Sequence, residues 1–231
     1  MTLYWILFIG IAAISWLVSN NLKNKEKKYS RILLESERTG KDVAEQMLRE
    51  NGLFDVKVIV TNGMLTDNYN PATKTISLSE AVYNGTNVFS AAVAAHETGH
   101  ALQHAKAYAP LKMRSALVPA VCFSSQWVTW ILLGGMILMG YGVRFGEPIL
   151  LAGIGLFAVT TLFSFITLPV EIDASVRALK WLNNAGITSS RNHTAAEKAL
   201  KAAAYTYVVA ALSSLATLLY YVMIFLGGRR N

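Results

Sequence analysis

Long apolar stretches alternate with polar segments along this chain. Four stretches lack Asp, Glu, Lys and Arg, and they lie at residues 1–18, 117–141, 149–168 and 202–226. Each is about long enough to cross the roughly 30 Å hydrocarbon core of a bilayer. Lysines follow the first stretch and no small-residue cleavage site is evident, which favours an uncleaved anchor over a secretory signal. The pattern predicts a mostly α-helical membrane protein with four transmembrane helices.

The polar segment after the first stretch has its own periodicities. An apolar stripe predicts a helix over 31–51, alternation predicts strands at 54–60, 64–69 and 75–79, and a helix is expected from residue 86 or 87 to about 108. The last two strands flank a turn that contains Pro71, which is typical of a hairpin. The sequence therefore predicts a small α+β domain between the first two spans.

Basic residues are distributed unevenly between the two sides that four spans create. The chain carries 21 Lys and Arg, and 18 of them lie in 19–116 and 169–201. Basic loops next to spans stay in the cytoplasm, so this side is predicted to be cytoplasmic and both termini external. Because the bases lie beside apolar spans, the net charge of +7 indicates a lipid bilayer as partner and no nucleic acid.

The last predicted helix of the polar segment contains His96-Glu97-Thr98-Gly99-His100, an HExxH motif. Residues i and i+4 lie on one face of a helix, so both imidazoles can bind one zinc ion. Glu97 lies beside them, where it can take a proton from an activated water and pass it to a leaving amine. The motif therefore predicts a zincin-like catalytic domain with one Zn²⁺ per chain.

A catalytic zinc needs a third protein ligand, and the chain lacks the third histidine of the longer HExxHxxGxxH pattern. Four acids follow the motif: Glu147, Glu171, Asp173 and Glu197. Glu147 falls on the far side of the bilayer, and Glu197 fits a capping box over 194–197 at the start of the last helix. Elimination leaves Glu171 and Asp173.

These two acids follow Pro169, where the third span returns to the cytoplasmic side, and Pro169 suits the first turn of a new helix. We favour Glu171 as the ligand and expect Asp173 to orient a ligating histidine through its other ring nitrogen. A favourable charge at a helix N-terminus is the alternative for both acids. Arg177, one turn further on, either faces the site or binds lipid headgroups.

The two remaining histidines and the cysteine are not expected to bind the metal. His104 lies one turn after His100 with no acid between them, so we expect it in outer contacts of the site or at the surface. His193 directly precedes the predicted capping box and is expected at a helix start. Cys122 is the only cysteine, which excludes a zinc site built on several thiolates.

Four stretches of the chain resemble the YugP-like neutral zinc metallopeptidases of bacterial membranes. They are LTDNYNPATKTISLSEAVYNG, AAHETGHALQHAKAY, LPVEIDASVRAL and AAAYTYVVAAL, in the order expected for that family. The group is similar to the HtpX-type membrane peptidases, which also place a transmembrane hairpin between HExxH and a ligand glutamate. The resemblance implies His96, His100 and Glu171 as ligands and Glu97 as base. HtpX-type enzymes typically carry an aspartate where this chain has Ser175.

Together these features predict a gluzincin-type, membrane-integrated zinc endopeptidase of the cell membrane. Its parts are an anchor, a metalloprotease domain, a transmembrane hairpin, a third-ligand segment and a C-terminal span with its tail, at 1–18, 19–116, 117–168, 169–201 and 202–231. The substrate is expected to be a membrane or membrane-proximal protein or peptide, extended and paired to Thr75–Ser79 as an edge strand. The alternatives are an intramembrane protease of site-2 type and a non-catalytic zinc-binding scaffold.

Overall fold

A computed structural model describes residues 2–63 and 66–228 of the chain. The helices are α1 (Thr2–Tyr29), α2 (Gly40–Glu50), α3 (Glu80–Tyr83), α4 (Val88–Ala105), α5 (Ala109–Gly140), α6 (Gly146–Asn184) and α7 (Ser190–Gly228). The strands are β1 (Lys57–Thr61), β2 (Asn68–Asn70) and β3 (Thr75–Ser79). The start of the predicted strand at 64–69, and the ends of the chain at residues 1 and 229–231, lie outside the described residues.

Four helices are long and apolar enough to cross a membrane. They are Trp5–Tyr29, Ala109–Gly140, Gly146–Asn184 and Asn192–Gly227. Each overlaps one predicted span and extends beyond it, because the helical backbone continues from the apolar stretch into polar sequence. The prediction of a mostly helical chain with four such helices and a small sheet is confirmed.

Helix α6 continues through Pro169 without a break. The prediction that a new helix starts at this proline is therefore wrong. A proline inside a helix removes one backbone hydrogen bond and crowds the preceding turn, yet it does not force the helix to end. The next residue, Val170, is completely buried, and its burial favours continuation of α6. The third span and the acids after it thus belong to one helix.

Two other helices begin at residues that differ from the predicted ones. Helix α2 starts at Gly40 and not at residue 31, because Thr39 and Asp42 form a reciprocal capping box there. Helix α7 starts at Ser190, so residues 194–197 lie inside the helix. The prediction that they form a capping box at its start is therefore wrong. Glu197 is instead paired with Lys201 one turn later, with an O–N distance of 2.6 Å.

The three strands form one sheet in the order β1-β3-β2. Strand β3 pairs in parallel with β1 and antiparallel with β2, so the predicted hairpin of β2 and β3 is present. Thr75–Ser79 is the central strand, and the prediction that it is an edge strand is wrong. The reason is that β1 pairs with β3 rather than with its sequence neighbour β2, which leaves β1 and β2 at the edges.

The chain divides into two compact units. A helical unit comprises residues 1–16, 113–168 and 207–231, and a mixed unit comprises residues 17–112 and 169–206. The mixed unit contains the sheet and one continuous buried core, in which α4 contacts α2, α3, β2 and β3. Because α4 is surrounded in this way, its small alanines at 91, 92, 94 and 95 are completely buried. Helix α4 is therefore held firmly by its neighbours.

Candidate metal centre

Helix α4 carries the HExxH motif inside the mixed unit. The helix begins after Asn87, whose side chain accepts a 2.9 Å hydrogen bond from the Ser90 N–H. This cap and the high helix propensity of alanine account for helix formation at this point. His96 and His100 follow one turn apart, with their ring centroids 4.8 Å apart and the rings edge to face. Two imidazoles are thereby presented side by side.

Glu171 of α6 reaches both imidazoles. Its Oε2 lies 3.2 Å from His96 Nε2 and 3.5 Å from His100 Nε2. The three potential ligand atoms all lie within 4.8 Å of one another, and no other such group of His, Cys, Asp or Glu side chains occurs in residues 2–63 and 66–228. Of the two acids that elimination left open, the structure brings Glu171 to the histidines.

The chemistry of this group fits zinc. Two imidazole nitrogens and one carboxylate oxygen form a ligand set used by catalytic zinc, with a fourth position left open. Ligand atoms about 2.1 Å from a tetrahedral zinc lie about 3.4 Å from one another. This is close to the 3.2 and 3.5 Å that separate Glu171 Oε2 from the two imidazole nitrogens. The Glu171 side chain is 3% exposed, and a carboxylate so deeply buried requires a compensating positive charge. A divalent cation would supply that charge.

Gly99 allows α4 and α6 to approach closely beside the cluster. A Cβ atom at this position would lie 2.7 Å from the Ala174 carbonyl oxygen and 3.1 Å from its Cα. Both are backbone atoms of α6, so relieving the clash would require the helices to move apart. The glycine of HETGH is therefore needed for the contact that places Glu171 against the histidines. Its role was not evident from the motif alone.

The second ring nitrogen of each histidine also has a partner. His100 Nδ1 lies 3.0 Å from Gln103 Oε1, and His96 Nδ1 lies 3.1 Å from the Ser175 hydroxyl. Such outer contacts orient ligating imidazoles. Sequence reasoning did not assign Gln103, although its position three residues after His100 is a usable signal. It noted Ser175 only as a departure from the HtpX-type pattern.

Asp173 was expected to orient a histidine directly, but in the structure it contacts Gln103, which in turn contacts His100. Its carboxylate accepts a 2.7 Å hydrogen bond from Gln103 Nε2 and pairs with Arg177 at 2.6 Å. Asp173 thus reaches His100 only through Gln103. Arg177 also lies over the Tyr108 ring, 5.9 Å from its centroid. The contacts of Arg177 are with protein groups close to the cluster.

The other histidines lie away from the cluster. His104 is exposed, and its Nδ1 lies 2.9 Å from the Tyr69 hydroxyl. It lines a small pocket of about 110 Å³ together with the Asp55–Lys74 ion pair. His193 Nδ1 lies 3.0 Å from the Thr188 hydroxyl near the start of α7. Neither His104 nor His193 belongs to the group of potential metal ligands formed by His96, His100 and Glu171.

Glu97 lies beside the cluster in a buried position. It is 8% exposed, and burial raises the pKa of its carboxyl group. The nearby His96 and His100 act in the opposite direction and lower this pKa, while the charge of Glu171 raises it. Glu97 is not part of the three-residue ligand group. Glu97 is therefore a buried carboxyl group next to the cluster and outside its set of potential ligands.

Comparison with known proteins shows the family to which the chain belongs. A family described as "Putative neutral zinc metallopeptidase" matches residues 4–226, and the chain belongs to that family. The chain is similar to the "Putative membrane protease YugP" of Bacillus subtilis (strain 168). The two are 42% identical over 226 residues, which cover 96% of this chain and 97% of that protein. No solved structure matches the chain.

Family membership gives the cluster its most direct interpretation. A zinc peptidase family implies zinc, and the three side chains that converge in the mixed unit can hold a metal ion. The relative is described as a membrane protease, and four helices among the described residues of this chain are long and apolar enough to cross a membrane. The chain therefore combines membership of a family described as zinc metallopeptidases, a cluster able to hold a metal ion, and four helices long and apolar enough to cross a membrane.

Proposed function

We propose that the protein is a membrane-integrated zinc endopeptidase in which His96, His100 and Glu171 hold one zinc ion per chain. The observation that carries this proposal is the convergence of Glu171 Oε2 on the two motif histidines, at 3.2 and 3.5 Å. The peptidase descriptions of its family and of its Bacillus relative support peptide bonds as the substrate.

Glu97 is the proposed general base. Zinc bound at such a site supplies a Lewis acid that polarises a peptide carbonyl and lowers the pKa of water. Glu97 directly follows His96 and lies outside the ligand group, so it can accept a proton from the attacking water. The same carboxyl group then delivers that proton to the leaving amine. Glu97 thereby serves both halves of the hydrolysis.

The proposed substrates are proteins in the membrane or next to it, cut outside the bilayer. Helix α4, which carries the motif, is not one of the four helices identified as able to cross a membrane. This favours a site in the polar part of the protein over an intramembrane site. Since β3 is central in the sheet, an extended substrate would have to use another surface than the one first expected.

The polar part is proposed to face the cytoplasm, because 18 of the 21 basic residues lie in 19–116 and 169–201. A reporter fused after Lys106 is expected to show cytoplasmic activity, and one inserted near Gly146 to show external activity. Paired alkaline phosphatase and fluorescent-protein fusions measure this directly. The reverse pattern would place the catalytic site on the outer face and contradict the assignment.

Purified wild-type protein in detergent is expected to contain about one zinc ion per chain and to cleave casein or itself. A chelator should abolish cleavage and added zinc should restore it, because the Lewis acid is removed and returned. Elemental analysis and gel-based cleavage assays measure both quantities. Stoichiometric zinc without any cleavage would favour the scaffold alternative, whereas folded protein that cannot bind zinc would contradict the proposed site.

A further inference from the structure

The side chain of Gln103 lies between the two helices that supply the proposed ligands. It belongs to α4 and is completely buried. Its Oε1 lies 3.0 Å from His100 Nδ1, and its Nε2 donates hydrogen bonds of 2.7 Å to the Val170 carbonyl and 2.7 Å to Asp173 Oδ2. One amide therefore contacts a proposed ligand histidine on α4 and two residues of α6, one immediately before Glu171 and one two positions after it.

The three partners determine how the amide must point. A carbonyl oxygen can only accept hydrogen bonds, and so can an ionised carboxylate such as that of Asp173, which is paired with Arg177. Both amide hydrogens of Gln103 are thus committed to Val170 and Asp173. The amide oxygen, which is only an acceptor, is left to face His100.

This orientation selects the tautomer of His100. Because Gln103 Oε1 can only accept, His100 Nδ1 must carry the hydrogen between them. In the neutral ring the other nitrogen, Nε2, then carries the lone pair, and this is the atom 3.5 Å from Glu171 Oε2. A histidine binds a metal through a nitrogen that carries no hydrogen. Gln103 therefore holds His100 in the form that can act as a ligand.

The same amide also restrains the third ligand. Val170 immediately precedes Glu171, and its carbonyl accepts a 2.7 Å hydrogen bond from Gln103. Gly99 already brings the backbones of α4 and α6 into close contact. The bond from Gln103 adds a directional link between the helices, one residue away from the ligand carboxylate. By contrast, the Ser175 hydroxyl on His96 can either donate or accept, so it does not select a tautomer.

We propose that Gln103 is a positioning residue that sets the tautomer of His100 and ties the backbone next to Glu171 to α4, so that one side chain prepares two zinc ligands. The inference rests on the proposed zinc site. It assigns no contact between Gln103 and the metal or the substrate. Its consequence is measurable as zinc affinity, independently of peptide hydrolysis.

The first test compares Gln103→Met with Thr98→Val. Methionine preserves much of the volume and flexibility of glutamine but neither orients His100 nor bonds Val170. Thr98 is equally buried on the same helix, and its hydroxyl donates a 2.8 Å hydrogen bond to the Ala94 carbonyl of that helix. Competition with a chelating dye should show zinc binding weakened about 10- to 100-fold in Gln103→Met and within about twofold of wild type in Thr98→Val.

A second comparison separates hydrogen bonding from packing. Gln103→Glu keeps an acceptor for His100 but places a carboxylate against Asp173, so zinc binding should weaken. Adding Asp173→Asn supplies an amide donor to that carboxylate and should recover part of the lost affinity. The absorption spectrum of the cobalt-substituted protein should shift in the single variant and move back towards wild type in the double variant. A role in filling space alone would produce no such recovery.

The outcomes distinguish this inference from the proposed function. If wild-type protein binds no zinc, the proposed function itself fails. If wild type binds zinc and both Gln103 variants bind it with unchanged affinity and an unchanged cobalt spectrum, the positioning role is wrong. Melting temperatures of the metal-free proteins show which variants are folded. Should Gln103→Met not fold, the Gln103→Glu and Asp173→Asn pair provides the deciding measurement.

Discussion

Replacing Glu97 with glutamine is expected to preserve zinc binding and to lower the rate of casein cleavage about 100-fold or more. The substitution keeps the size of the side chain and removes its ability to accept and return a proton. Glu97 lies outside the group formed by His96, His100 and Glu171, so the ligand set stays complete. Elemental analysis and cleavage rates of the purified variant measure the two quantities separately.

Glu80→Gln is a matched control, since Glu80 is an exposed glutamate at the start of α3 in the same unit. It should retain wild-type activity and zinc content. Cleavage at the wild-type rate by the Glu97→Gln protein would show that the proposed base is wrong. Loss of zinc from that protein would show instead that Glu97 is a ligand or is needed to build the site.

Glu171→Ala is expected to release zinc or to weaken its binding far more than Asp173→Ala does. The Glu171 carboxylate lies between the Nε2 atoms of His96 and His100, so its removal leaves only two ligands. The Asp173 carboxylate contacts Gln103 and Arg177 instead. Its removal should cost part of the affinity and activity, as changes in outer contacts usually do. Zinc content after purification and dialysis compares the two variants.

The Asp173→Ala protein serves as the control for Glu171→Ala, because both changes remove an acid from the same helix two residues apart. Full zinc in Glu171→Ala together with loss in Asp173→Ala would reverse the assignment. Full zinc in both would contradict the ligand set. In that case His193 and Glu197, which contact Thr188 and Lys201 in the structure, would be the next ligand candidates.

Local patterns accounted for much of the architecture. The charge-free stretches predicted the four long helices, since a run of about 20 apolar residues has few stable alternatives to a membrane helix. The helix predicted from residue 86 or 87 to about 108 corresponds to α4, which runs from Val88 to Ala105. These predictions hold because capping, propensity and hydropathy depend on residues that are neighbours in the sequence.

The boundaries of helices and the pairing of strands were harder to predict from the sequence. Pro169 is a strong local signal for a helix start, yet α6 passes through it because the buried residues after it stabilise the helix. Thr75–Ser79 was expected at an edge, yet β1 pairs with it along its whole length. In both cases contacts with distant residues outweighed the local preference.

The amino-acid sequence by itself determined the HExxH motif, the helix that carries it, and the short list of acids that could complete a metal site. Only the tertiary structure shows that Glu171, and not Asp173, lies against the two motif histidines, because this depends on which side of α6 meets α4 at Gly99. It likewise shows that Gln103 and Ser175, rather than Asp173, contact the motif histidines. The physical reason is the separation along the sequence of the residues that interact. Helix formation depends on neighbouring residues, whereas the geometry of the cluster depends on the packing of α4 against α6, whose contacting residues are about 70 positions apart in the chain.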